Sequence, residues 1–124
     1  MNNIFDSVTR REINIPNEPG LRRFVSAAYP NGRPSLSLEV QVVEDDGTTW
    51  WEPDMVITVN LPDEPLPEGA FFVRRHGYEE TLANIFATGL FEDLGVDVPA
   101  GYVDKYARVW RLKPPPEVLP GTVS

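Results

Sequence analysis

Apolar and polar positions alternate over much of the chain, and the alternation stops wherever proline or glycine intervenes. Leu36, Leu38, Val40 and Val42 are separated by Ser37, Glu39 and Gln41, the period of a half-buried strand. Leu21–Tyr29 precedes it as a second strand and ends at Pro30–Asn31–Gly32, a hairpin turn signal. Arg11–Ile15 reads as a shorter strand before that. Glu44–Asp45–Asp46–Gly47 closes a second hairpin, and Thr48–Asn60 pairs back, interrupted at Pro53. Those clustered acids lack the alternating ligands and closing glutamate of a calcium loop. Trp50–Trp51 and Phe71–Phe72 are adjacent aromatic pairs, so in a strand each sends one ring to either face. One ring of each pair can enter a core, and the other needs a helix or a second subunit to cover it.

Only one segment has helical spacing. Leu82, Ile85 and Phe86 form a stripe behind Glu79 and Glu80, whose charges suit a helix N-terminus. Gly89 and Leu90 predict a Schellman-type stop, with Leu90 packing back on Ile85. Pro99–Ala100–Gly101 predicts a turn, and Tyr102–Leu112 a final strand with Tyr102, Tyr106, Arg108 and Trp110 on one face. The expected fold is α+β: an antiparallel sheet of about five or six strands, one helix in the C-terminal half, and an oligomeric assembly. Residues 1–112 form the single ligand-binding domain, and 113–124 a proline-rich tail opened by Pro114–Pro115–Pro116.

The composition narrows the chemistry. The chain of 124 residues has no cysteine and one histidine, so thiol catalysis, cysteine-bound zinc and histidine-rich metal centres are excluded. No Gly-x-Ser-x-Gly elbow and no glycine-rich phosphate loop occurs, and the sequence gives no cofactor signature. These gaps predict a protein that is not an enzyme. A net charge of −8 argues against DNA as a partner. No apolar run is long enough for a membrane helix and the N-terminus lacks a signal core, so no membrane is expected and the expected compartment is a cytoplasm.

Binding remains. Nine of the eleven basic residues are arginine, the side chain that forks onto phosphate. Arg33 opens a strand, Arg74 and Arg75 end another beside His76, and Arg108 and Arg111 lie near the end of the last. If these strand ends converge, they form an arginine cluster with Phe91, Tyr102 and Trp110 as planar surfaces, a combination suited to a nucleotide. The competing assignments put the arginines in surface ion pairs, Tyr106 and Trp110 in the core, and Phe91 under the helix.

Three stretches then carry a resemblance: Tyr29–Pro30–Asn31–Gly32–Arg33; Thr58–Val59–Asn60–Leu61–Pro62–Asp63–Glu64–Pro65–Leu66, running to Phe72–Val73; and Gly89–Leu90–Phe91–Glu92–Asp93–Leu94–Gly95, with Pro99–Ala100–Gly101–Tyr102–Val103 and Val109–Trp110–Arg111–Leu112. Over about residues 20–112 the chain resembles small phage and mobile-element proteins of the anti-Thoeris sponge family. The resemblance implies a phage protein that works in the cytoplasm of the host bacterium. Such a protein binds a cyclic ADP-ribose isomer without cleaving it and so keeps the Thoeris effector from being activated. Homodimers or hexamers, and further binding of cyclic di- or trinucleotides, are implied with it. Residue by residue, Arg33 matches a phosphate contact, Phe91 the ring that stacks on adenine, and Arg108 or Arg111 a second phosphate contact. The chain departs from the family before the helix, where a Ser-Glu-Asn-like stretch is replaced by His76–Gly77–Tyr78–Glu79–Glu80. The alternative expectation is an inhibitor that binds a protein of a bacterial defence complex through its acidic surface.

Overall fold

The computed structural model describes residues 4–74, 77–100 and 106–113. Arg75, His76, Tyr102 and the tail from residue 114 onward lie outside the described residues. The fold is α+β, with two antiparallel sheets and one helix. The first sheet has the order β1-β2-β3-β4, from β1 (Glu12–Asn14), β2 (Leu21–Ala28), β3 (Pro34–Val43) and β4 (Thr49–Val56). The second has the order β5-β7-β6, from β5 (Ala70–Val73), β6 (Phe91–Pro99) and β7 (Tyr106–Leu112), with α1 (Glu79–Phe86) between β5 and β6 in the chain. The expected single sheet of five or six strands is thus seven described strands divided between two sheets.

The alternating residues do what their period requires. Phe24, Leu36 and Leu38 turn to one face of the first sheet and are fully buried. They meet Ile57, Phe71, Val73, Leu82, Ile85, Phe91 and Trp110 in one core, sealed at the N-terminal end by Phe5 and Val8. Phe5 packs edge-on against Phe71 with ring centroids 4.8 Å apart. On the far face of the second sheet, Ala70, Phe72, Ala107 and Val109 form a smaller core covered by Val59, Leu61 and Leu66 of the mid-chain loop. The adjacent Phe71 and Phe72 are therefore both covered within one chain.

The tryptophan pair behaves differently, and neither ring enters the core. β2 pairs with β3 only as far as Val40, opposite Arg22, so Gln41–Val43 and their partners Thr49–Trp51 run on as a two-stranded ribbon. Trp51 lies under the Arg23 guanidinium, 4.4 Å from its ring centroid, and Trp50 is 39% exposed. Nearer the core, Asp54 is the extra residue of β4 at an irregularity opposite Leu38 and Glu39. It accepts a 2.8 Å hydrogen bond from Nε of Arg22, a buried residue whose guanidinium also donates to the carbonyl of Pro19.

The end of α1 differs from the expected stop. Thr88 and Gly89 donate to the carbonyls of Ile85 and Phe86, tightening the last turn, and the Thr88 hydroxyl bonds the Ile85 carbonyl at 2.6 Å. Gly89 has φ +80°, and Leu90 packs against the core beside Ile85.

Candidate functional site

Two of the three stretches that carry the resemblance are tied to each other. The Tyr29–Arg33 turn lies against the 58–64 loop through four contacts. The Tyr29 and Thr58 hydroxyls share a hydrogen bond of 2.9 Å, and Asn31 Nδ2 donates to Asn60 Oδ1. Arg33 then spans the loop, with Nη1 donating to the Leu61 carbonyl at 2.6 Å and Nη2 to the Glu64 carbonyl at 2.8 Å. Its guanidinium also lies over the Phe72 ring at 5.9 Å. Arg33 braces two loops, because carbonyls that have left a ladder need donors and a fork supplies two at once.

A groove large enough for a small ligand lies elsewhere, between α1 and the second sheet. Its volume is about 390 Å³, within the range of small-molecule sites. Val73 and Trp110 come from the strands, Leu82, Ala83 and Phe86 from the helix, and Glu79, Asp93 and Arg108 supply the charge. Phe86 is 38% exposed and its ring lies 5.3 Å from that of Trp110.

The register of β6 against β7 sets the charges at this groove. Asp93 pairs with Trp110 and Asp97 with Arg108, so 94–96 bulge out of the ladder around Gly95. The bulge brings two carboxylates to one guanidinium. Arg108 Nε bonds both oxygens of Asp93 at 2.8 and 2.9 Å, and Nη1 bonds Asp97 at 3.1 Å. The Asp93 hydrogen bond, and after it that of Asp97, raises the Arg108 pKa above its ordinary value. Arg111, on the other face of β7, pairs with Glu92 at 2.6 Å.

Arg74 is the exception among the candidate arginines. It follows β5 directly, and its guanidinium lies 5.6 Å from the centroid of Tyr78, the residue just before α1. The start of α1 has no side-chain cap. Arg74 Nε is buried and has no hydrogen-bond partner, and it is the one such side-chain atom among the described residues. Val73 and Glu79 line the groove, and Arg74 and Tyr78 are their chain neighbours without lining it themselves.

The expected arginine cluster is therefore dispersed. Arg33 is spent on the loops, Arg108 stands at the groove with two carboxylates, and Arg111 faces away from it. Phe91 is fully buried among Phe24, Phe71 and Trp110, and as placed offers no ring face to a ligand. Tyr102 and Arg75 lie outside the described residues. The sequence did not mark Glu79, Ala83 or Phe86 as groove-lining, since a helix stripe does not reveal which flank stays open.

Among the described residues no group of three or more His, Cys, Asp or Glu side chains is placed to hold a metal ion. Among them, too, no helix is long and apolar enough to cross a membrane. Comparison of the chain with family models, with characterised proteins and with solved structures returned no match.

Proposed function

We propose that the protein is a non-catalytic binder of a small nucleotide-like anion, held at the α1 groove with Arg74, the chain neighbour of groove-lining Val73, as its anion contact. The observation that carries this reading is the buried, unpartnered Nε of Arg74 next to an aromatic ring and an uncapped helix start. A buried donor without a partner costs about 1–3 kcal/mol, and a phosphate oxygen would recover it. The groove supplies the rest of what a nucleotide needs. Phe86 is an exposed ring beside an apolar floor, and the Glu79 and Asp93 carboxylates can accept ribose hydroxyls.

With the resemblance added, the specific ligand is a cyclic ADP-ribose isomer, sequestered intact in the cytoplasm of a phage-infected bacterium so that the Thoeris effector stays inactive. Homodimers or hexamers and a site for cyclic di- or trinucleotides belong to the same proposal. A net charge of −8 repels such a ligand at long range, so capture is slow at low salt and quickens as salt is added, while the local donors set release.

The test is calorimetric titration of the protein with ADP-ribose and with cyclic ADP-ribose. Arg74→Gln is expected to weaken binding by about tenfold or more, the loss of one charge-assisted hydrogen bond, with the melting temperature held. Binding of the variant at wild-type affinity would overturn Arg74 as the anion contact.

A further inference from the structure

The β3–β4 ribbon carries the same constellation twice, once filled and once open. On one face, Trp51 lies under the Arg23 guanidinium at 4.4 Å, and Arg23 Nε bonds Glu39 at 2.7 Å. A planar cation is thus stacked on an indole and anchored by a carboxylate, all from this chain. On the opposite face, Trp50 Nε1 donates to Glu52 Oε1 at 2.9 Å, which fixes a carboxylate at the edge of an indole that is 39% exposed. No arginine or lysine among the described residues lies over that ring.

The surroundings point the same way. From Pro34 to Val56 the hairpin holds Glu39, Glu44, Asp45, Asp46, Glu52 and Asp54, and no Lys or Arg. Glu39 and Asp54 are paired with the β2 arginines, and the other four acids, around Trp50 and the turn, have no basic partner among the described residues. β4 is also the free edge of its sheet. Pro53 has no N–H to offer and Asp54 is displaced, so the pairing edge is the distal stretch Thr49–Glu52, about 13 Å at a strand's rise per residue. Val43, 63% exposed, adds apolar surface at the tip.

We propose that this distal edge docks an extended, arginine-rich segment of a partner protein. The segment lies along β4 as an added strand, with one guanidinium stacked on Trp50 and forked onto Glu52, while Glu44, Asp45 and Asp46 attract its neighbours. This surface uses none of the groove residues and stands independently of the ligand reading.

The test is fluorescence anisotropy of the full-length protein with a labelled Thr-Arg-Val-Arg-Thr-Arg peptide. Its lysine counterpart and the variants Trp50→Leu, Trp50→Phe, Glu52→Gln and Glu68→Gln complete the set, with every variant checked by its melting curve. The proposal expects Trp50→Leu and Glu52→Gln each to weaken binding by about two- to fivefold. Trp50→Phe retains part of the affinity, Glu68→Gln in the distant loop retains all of it, and the lysine peptide binds more weakly. Trp50→Leu at wild-type affinity, or Glu68→Gln losing as much as Glu52→Gln, would overturn it in favour of diffuse attraction to an acidic protein. Sedimentation showing a dimer that Trp50→Leu dissociates would overturn it in favour of a second copy on this edge.

Discussion

Replacing Arg33 by alanine separates a brace from a ligand contact. The side chain donates to two carbonyls, of Leu61 and Glu64, at 2.6 and 2.8 Å, and it is half-buried. Hydrogen bonds to a charged group are each worth about 1.5–3 kcal/mol, but carbonyls at this exposure regain water once the guanidinium is gone. Taking about 1 kcal/mol for each bond gives a destabilisation of about 2 kcal/mol. A chain of 124 residues has an unfolding entropy of about 0.26 kcal/mol/K, so the midpoint should fall by about 8 °C. Arg33→Lys keeps the charge but not the fork, and should lose about half as much. Scanning calorimetry reads both, with ligand titration alongside. A melting temperature within about 2 °C of wild type would refute the brace. An unchanged melt together with lost nucleotide binding would return Arg33 to the phosphate role that the resemblance implies.

Phe91→Ala should cost about 3–5 kcal/mol in urea unfolding, since the ring is fully buried against three other aromatics, and a loss under about 1 kcal/mol would contradict its core role. Gly95 has φ +76° in the β6 bulge with open space around a would-be Cβ, so Gly95→Ala should cost about 1 kcal/mol through the backbone alone. Urea unfolding gives that value too. The Thr48 side-chain hydrogen bond, and after it the Thr48 amide, holds the Asp46 carboxyl below its ordinary 3.8. A lowered folded pKa gives stabilisation that is present above the unfolded pKa and is lost as pH falls through the folded one. The pH-dependent shift of the Thr48 amide resonance should follow that titration and vanish in Asp46→Asn.

Local period and turn chemistry made the first sheet and the helix legible. The Leu36–Val42 alternation needs one covered face, and both hairpin glycines take the positive φ their turns require. β6 was not legible: Glu92, Asp93, Gly95 and Asp97 break up any apolar alternation. It is a strand because Arg108 and Arg111 of β7, the next strand along the chain, take up Asp93, Asp97 and Glu92, a cross-strand pairing that no local period shows. The division into two sheets was hidden for the same reason. Ile57 leaves the first sheet to enter the core, and Val59 then pairs with Phe72, so the chain changes sheets with no signal in its period.

The candidate site was half legible. Arginine at strand ends singled out Arg74 and Arg108 along with Arg33 and Arg111, but sequence cannot say which guanidinium is already satisfied. Arg33 and Arg111 are occupied by partners 28 to 31 and 19 residues away. The orphaned Nε of Arg74 is visible only once the strand end and the helix start are brought together.

The central claim is that this chain holds a cyclic ADP-ribose signal without breaking it. The direct measurement is to mix the purified protein with the products of a Thoeris TIR enzyme, filter, and analyse the filtrate by mass spectrometry before and after heat denaturation of the retained protein. The account predicts that the signal leaves the filtrate and returns intact on heating, and that Arg74→Gln leaves it in the filtrate. Signal that returns as fragments, or that never leaves the filtrate of the unaltered protein, would contradict it.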